Sequence, residues 1–117
     1  MLTLPPSVRI WCATAPTDLR RGFDGLAALV RSQLQADPLS GHLFVFYNRR
    51  ADRLKVLYWD RDGLCIWYKR LERGRFHFPA ADAASLELTP GQLQMILDGV
   101  DVEHARRYKR YHKPASA

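Results

Sequence analysis

Hydrophobic residues in this chain fall into short alternating runs and one helical stripe, separated by clusters of turn formers. After Pro5 and Pro6, the run Val8-Arg9-Ile10-Trp11-Cys12 alternates and is rich in β-formers, which predicts a short strand. Leu19, Phe23, Leu26, Val30 and Leu34 then recur at spacings of 4, 3, 4 and 4, the signature of an amphipathic helix. Pro16-Thr17-Asp18 supplies helix-start chemistry. Gly22 and Gly25 each cost about 1 kcal/mol inside a helix, so the element is placed at residues 23–35. Loop chemistry at residues 37–41 closes it.

Aromatic and β-branched runs follow at residues 42–47, 54–59 and 64–71, split by Asn48-Arg49-Arg50-Ala51-Asp52-Arg53 and by Asp60-Arg61-Asp62-Gly63. The second break fits a type I turn with Gly63 in the left-handed conformation, so the runs beside it form a hairpin. A turn at Glu72-Arg73-Gly74 leads to a further run at residues 75–78, and the series reads as an antiparallel meander. Leu86-Glu87-Leu88 adds a short edge strand. In Thr89-Pro90-Gly91-Gln92, Thr at the N-cap, Pro at N1 and Gln at N3 form a capping box. The helix it starts, residues 90–98, has Leu93, Ile96 and Leu97 as its apolar face and Gly99 as its end. The expected fold is α+β: a single domain over residues 1–102, with a four- or five-stranded, largely antiparallel meander. One long helix packs on a face, a short C-terminal helix lies nearby, and a basic tail covers residues 103–117.

Composition adds bounds. A chain of 117 residues, 47% hydrophobic and 26% charged, accommodates one core and argues against disorder. Cys12 and Cys65 have neither Cys-x-x-Cys spacing nor a His companion, and read as reduced core thiols. The N-terminus lacks a signal-peptide pattern and no run approaches the roughly 20 apolar residues of a membrane span, so a cytoplasmic protein without membrane contact is expected.

Charge changes the picture more. The formal net charge is +6, and residues 49–75 carry nine Lys or Arg against four Asp or Glu. Residues 103–113 carry five against one, while the rest of the chain is mildly acidic with four against seven. Fourteen of the eighteen cations are Arg, whose planar fork suits phosphate. Arg49, Arg50 and Arg53 occupy one turn, and Lys69, Arg70, Arg73 and Arg75 flank another. In a meander these turns fall at the same end of the sheet. The partner is nucleic-acid phosphate or an acidic protein surface, with Asp52 and Glu72 available for local ion pairs. The tail cations Arg106, Arg107, Lys109 and Arg110 resemble a phosphate-neutralising arm, although a solvated terminus has the same composition.

Two further features are weighed against plainer roles. With a bulge at Gly63, Trp59, Leu57 and Lys55 lie opposite Cys65, Trp67 and Lys69, giving one face that mixes tryptophan with cations, as single-strand binders do. Core packing explains the same tryptophans in a domain this small. Asp60 and Asp62 stand at a hairpin tip where two carboxylates can hold a cation, but Arg61 between them opposes a metal and Asp is a turn former. His42, His77, His104 and His112 are scattered and build no nucleophile or metal signature. No catalytic set, cofactor, metal or small-molecule substrate is expected.

Read as strings, Asp18-Leu-Arg-Arg-Gly-Phe-Asp-Gly-Leu26, Gly41-His-Leu-Phe-Val-Phe46, Leu57-Tyr-Trp-Asp-Arg-Asp-Gly63 and Trp67-Tyr-Lys-Arg-Leu-Glu-Arg-Gly-Arg-Phe76 resemble one family. It is the TnpB-type, or second-reading-frame, accessory protein of the insertion sequence sixty-six class of transposable elements. Four strings in the same order across nearly the whole chain are more specific than any short motif. The longer RNA-guided nucleases that share the TnpB label carry a carboxylate nuclease core that has no counterpart here. The resemblance implies a non-catalytic accessory role in transposition, beside a separate transposase that supplies strand transfer. Lys55 joins the turn and tail cations as the expected contacts to DNA. The alternative is a protein-interaction subunit that docks on the transposase or its companion accessory protein with little DNA contact.

Overall fold

Period-two runs and the helical stripe become β1 (Ile10–Ala13), α1 (Phe23–Ser32), β2 (Leu43–Tyr47), β3 (Arg53–Asp60), β4 (Gly63–Arg70), β5 (Ser85–Leu88) and α2 (Pro90–Asp98) in the computed structural model. The structure describes residues 5–100, 110–111 and 113–114. The strands form one sheet in the order β4-β3-β2-β1-β5. Within it β2, β3 and β4 are the expected antiparallel meander. The sheet as a whole is mixed, because β1 runs parallel to β2, pairing Ile10 with Leu43 and Cys12 with Val45. A parallel neighbour needs a crossover of a dozen or more residues, and the segment containing α1 supplies it. At the far side β5 is the expected edge strand, antiparallel to β1.

Strand alternation divides the core in two. Ile10, Cys12, Leu43, Val45, Leu54 and Val56 face α2, where Leu93, Ile96 and Leu97 meet them together with Phe76. Ala13, Phe44, Phe46 and Leu57 face α1 and its Leu26, Ala27, Leu29 and Val30. The two helices therefore cover opposite faces of the sheet. This arrangement explains why β2 is a continuous apolar run, Leu-Phe-Val-Phe-Tyr, rather than an alternating one.

Three expectations need correction. The first helix starts at Phe23 but ends at Ser32, after which Ala36 N–H bonds back to the Val30 carbonyl and Gln35 turns left-handed. Residues 75–78 are not a strand. Leu71 N–H donates to the Asp52 carbonyl and Phe76 N–H to the Ala51 carbonyl, so the chain folds back over the 48–52 loop instead of extending the sheet. Phe76 is then buried against α2, and Phe78 stacks on Tyr47 with ring centroids 4.1 Å apart.

The third correction is register. Asp60 pairs directly with Gly63 across a two-residue turn, and the left-handed residue is Arg61 (φ 50°), not Gly63. Trp59 therefore opposes Leu64, Leu57 opposes Ile66 and Lys55 opposes Tyr68. A one-residue shift sends each β4 side chain to the other face. Trp67 accordingly packs on the α2 side, away from Trp59, and the mixed row of tryptophans and cations does not form.

Both thiols are free, Cys12 buried and Cys65 half-buried, and burial pushes the Cys12 thiol up to about 12. Among the described residues no helix is long and apolar enough to cross a membrane. The capping box of α2 is complete: Thr89 Oγ1 accepts from Gln92 N–H at 3.1 Å, and Thr89 N–H donates to Gln92 Oε1 at 2.9 Å. Thr89→Ala should lower stability by about 1 kcal/mol, read as a shifted urea midpoint at unchanged slope.

Candidate nucleic-acid interface

The parallel pairing of β1 and β2 brings both carboxyl ends to one end of the sheet, where β3 begins and β4 finishes. Cross-strand pairing of Arg53 with Arg70 fixes that meeting point. The loop before β3 is organised by Asn48. Its backbone carbonyl accepts from Ala51 N–H at 2.9 Å, its side-chain amide donates to Asp52 Oδ1 at 2.7 Å, and its Oδ1 accepts from Arg53 N–H at 3.0 Å. Ala51 is held left-handed (φ 55°), a conformation costing roughly 1–2 kcal/mol for a residue with a Cβ. Arg49 and Arg50, on the outside of this loop, are exposed.

A groove of about 620 Å³ opens beside the loop, lined by Asp18, Leu19, Arg20, Asn48, Arg50, Asp52, Arg53, Lys55 and Tyr68. Arg53 donates to the Tyr68 hydroxyl at 3.0 Å, and Tyr68 is 47% exposed. Asp18 and Arg20 reach the groove from the segment after β1, which is fastened to β2 by the Thr17 N–H to Tyr47 carbonyl bond at 2.8 Å. Sequence reasoning missed these two residues and Asn48. The Asp18-Leu-Arg-Arg-Gly string was the only signal for Asp18 and Arg20, which lie about thirty positions of chain from Asn48.

Lys55 is placed differently from its neighbours. It is only 9% exposed, donates from Nζ to the Arg21 carbonyl at 2.9 Å, and lies 4.8 Å from the centre of the Tyr68 ring. A buried ammonium requires partners. Here they come from the residue preceding the N-cap of α1 and from an aromatic face, so Lys55 ties helix to sheet beneath the groove.

Lys69, Arg70 and Arg73 line a smaller cleft of about 230 Å³ with Leu71, Glu72, Arg110 and Tyr111. Arg70 Nη2 meets Glu72 Oε1 at 2.9 Å, and that hydrogen bond holds the guanidinium pKa above its ordinary value. Arg110 turns inward, lying 5.5 Å from the Phe76 ring centre and donating to the Ile96 carbonyl at 3.4 Å, and its burial lowers its pKa. Arg75 is exposed just beyond Gly74. Arg106, Arg107 and Lys109, and most of the proposed tail, lie outside the described residues.

Electrostatically, the groove is not uniformly positive. Arg20 forms a forked contact to Asp18, Nη2 to Oδ2 at 2.8 Å and Nε to Oδ1 at 3.0 Å. Its hydrogen bonds hold the Asp18 carboxyl down to about 2. Arg49, Arg50 and Arg73 are exposed and, among the described residues, make no such fork. Among the described residues no group of three or more His, Cys, Asp or Glu is gathered to hold a metal, and Asp60 and Asp62 are exposed at the opposite tip of the hairpin.

The fold and this end together define a small mixed-sheet domain with its cations gathered where two parallel strands finish. Residues 8–107 match the family described as IS66 Orf2 like protein, and the chain belongs to that family of insertion-sequence proteins. It is 44% identical over 104 residues to the uncharacterized protein y4hO of Sinorhizobium fredii, covering 89% of this chain and 90% of that one. It is also 43% identical over 100 residues to the uncharacterized protein y4jC of the same organism, covering 86% of each. No solved structure matches. Membership places the chain with the accessory machinery of transposition.

Two outcomes test this geometry. Lys55→Ala should lower stability by about 2 kcal/mol in urea unfolding, since it removes a charged hydrogen bond and a buried stem. Because the folded pKa of Asp18 is depressed, its ion pair is intact above the ordinary value of 3.8 and is lost as pH falls toward about 2. An NMR titration should give a midpoint near about 2 for Asp18, returning toward 3.8 in Arg20→Ala.

Proposed function

We propose that the protein serves transposition of its insertion sequence as a non-catalytic factor that binds nucleic acid through the arginine end of the sheet. The observation that carries this reading is the convergence of Arg49, Arg50 and Arg53 with Lys69, Arg70, Arg73 and Arg75 from two turns that are hydrogen-bonded to each other. Exposed arginines held at a rigid sheet end can follow a phosphate backbone, and phosphate contacts position a protein without reading sequence. The groove lies outside the carboxyl ends of parallel strands, where open sheets commonly receive ligands. Lys55 supports the site from below, holding Tyr68 and the start of α1 in place.

One observation favours a second reading, in which the same end docks on the transposase or its companion protein. Arg20 and Arg70 already fork onto Asp18 and Glu72, so this surface offers both signs of charge, as a protein interface does.

A salt titration of binding to a short DNA duplex and its single strand separates the two. The nucleic-acid reading expects measurable affinity at about 50 mM salt and a log–log slope of roughly −0.9 per phosphate contact on duplex. Arg50→Ala with Arg53→Ala should weaken binding on all sequences alike and flatten the slope by about 1 to 2. Absence of binding, or binding without a salt slope, rejects this reading, and retention of the transposase in a pull-down then supports docking.

A further inference from the structure

The two edges of the sheet are treated very differently. An edge strand presents a row of unpaired N–H and C=O groups, which proteins blunt with short strands, charges, Pro or bulges. At one edge β5 has four residues, its Glu87 sits 3.7 Å from Arg9, and Pro90 follows closely. At the other edge β4 runs for eight residues with every position paired to β3 and no bulge. It contains no Pro, and Leu64, Cys65, Ile66 and Trp67 are each only half-buried. Among the described residues no strand lies beyond it.

The two-residue turn sets which backbone groups face outward. The Leu71 N–H to Asp52 carbonyl bond marks a hydrogen-bonded pair in the β3–β4 register, and such pairs alternate with non-hydrogen-bonded ones along an antiparallel ladder, so Asp60 with Gly63 is another. Gly63, Cys65, Trp67 and Lys69 therefore direct their N–H and C=O groups toward β3. Leu64, Ile66, Tyr68 and Arg70 direct theirs to the open edge.

We propose that this edge joins two copies of the chain, β4 against β4, antiparallel about a two-fold axis through Ile66. The axis stands perpendicular to the sheet and keeps every side chain on its own face, so only residues of equal parity can pair. With Ile66 opposite Ile66 of the second copy, Leu64 meets Tyr68 and Asp62 meets Arg70. Aliphatic packs on aliphatic at the centre, the exposed Tyr68 gains a leucine, and a carboxylate faces a guanidinium at each end. Moving the axis to Tyr68 sets Ile66 against Arg70, and moving it to Leu64 sets Ile66 against Asp62. Charge also selects the occupant. The edge carries a carboxylate at its turn, Asp62, and cations at its far end, Lys69 and Arg70, so an antiparallel second copy sets opposite charges side by side.

Sedimentation of the full chain across a dilution series should show a species of twice the chain mass. Ile66→Pro removes only an outward N–H, which an edge strand tolerates, and should weaken the dimer at least about tenfold while the circular dichroism spectrum is kept. Asp62→Arg, at an exposed turn, should also weaken it, and adding Arg70→Asp should restore it. In a Cys65→Ser background, Ile66→Cys should cross-link with a short bifunctional thiol reagent, its Cα pair falling near the 5.5 Å of a hydrogen-bonded position, whereas Leu64→Cys, roughly 14 Å from its copy along the strand, should not. A chain that sediments as a monomer throughout overturns the proposal. So does a dimer indifferent to both Ile66→Pro and Asp62→Arg, or one that cross-links through Leu64→Cys and not through Ile66→Cys.

Discussion

Phe44, Val45 and Phe46 are adjacent on one strand and each is 0% exposed, yet adjacent strand residues point to opposite faces. A strand of this kind demands cover on both sides at once. One helix cannot supply it, so α1 and α2 take opposite faces and β2 takes a neighbour along each side. Because α1 lies in the connection between β1 and β2, the chain crosses over the sheet and the two strands run parallel. Parallel direction places residues 14–21, which follow β1, at the same end of the sheet as the 48–52 loop, which follows β2. The groove thus follows from the burial of β2 through topology, with the Thr17 N–H to Tyr47 carbonyl bond fastening one of its walls to that strand.

What was legible in the sequence was what depends on neighbours along the chain. Thr89, Pro90 and Gln92 define the start of α2 within four positions, and the helix begins there. Asp60-Arg61-Asp62-Gly63 marked the hairpin, and the turn cations marked the charged end of the sheet. The remainder depends on partners distant in the chain. Strand direction for β1 is decided by the crossover, which no local pattern encodes. Phe76 and Phe78 have the composition of a strand, but bonds to Ala51 and Asp52 turn their segment away from the sheet. At the hairpin Arg61 accepted the left-handed conformation expected of Gly63, and the one-residue difference in register sent Trp67 to the α2 side, away from Trp59.

The candidate site was legible as a set of charges but not as a set of roles. Arg49, Arg50 and Arg73 project from turns, as composition implied. Lys55 and Arg110 carry the same formal charge, yet one anchors the approach to α1 and the other covers Phe76. Burial distinguishes them, and burial is a property of the folded sheet. Asp18 and Arg20 enter the site for the converse reason, having no charge pattern around them that marks them out.

Ala51 gives the loop a particular thermodynamic character. Glycine in its place would adopt the same backbone without steric opposition, and would also let the unfolded loop sample many more shapes. Alanine accepts strain in the folded loop and in return narrows the alternatives available to Arg49 and Arg50 before any partner arrives. Under the proposed nucleic-acid reading, ordering entropy that a flexible arginine loop would surrender on binding is surrendered here during folding.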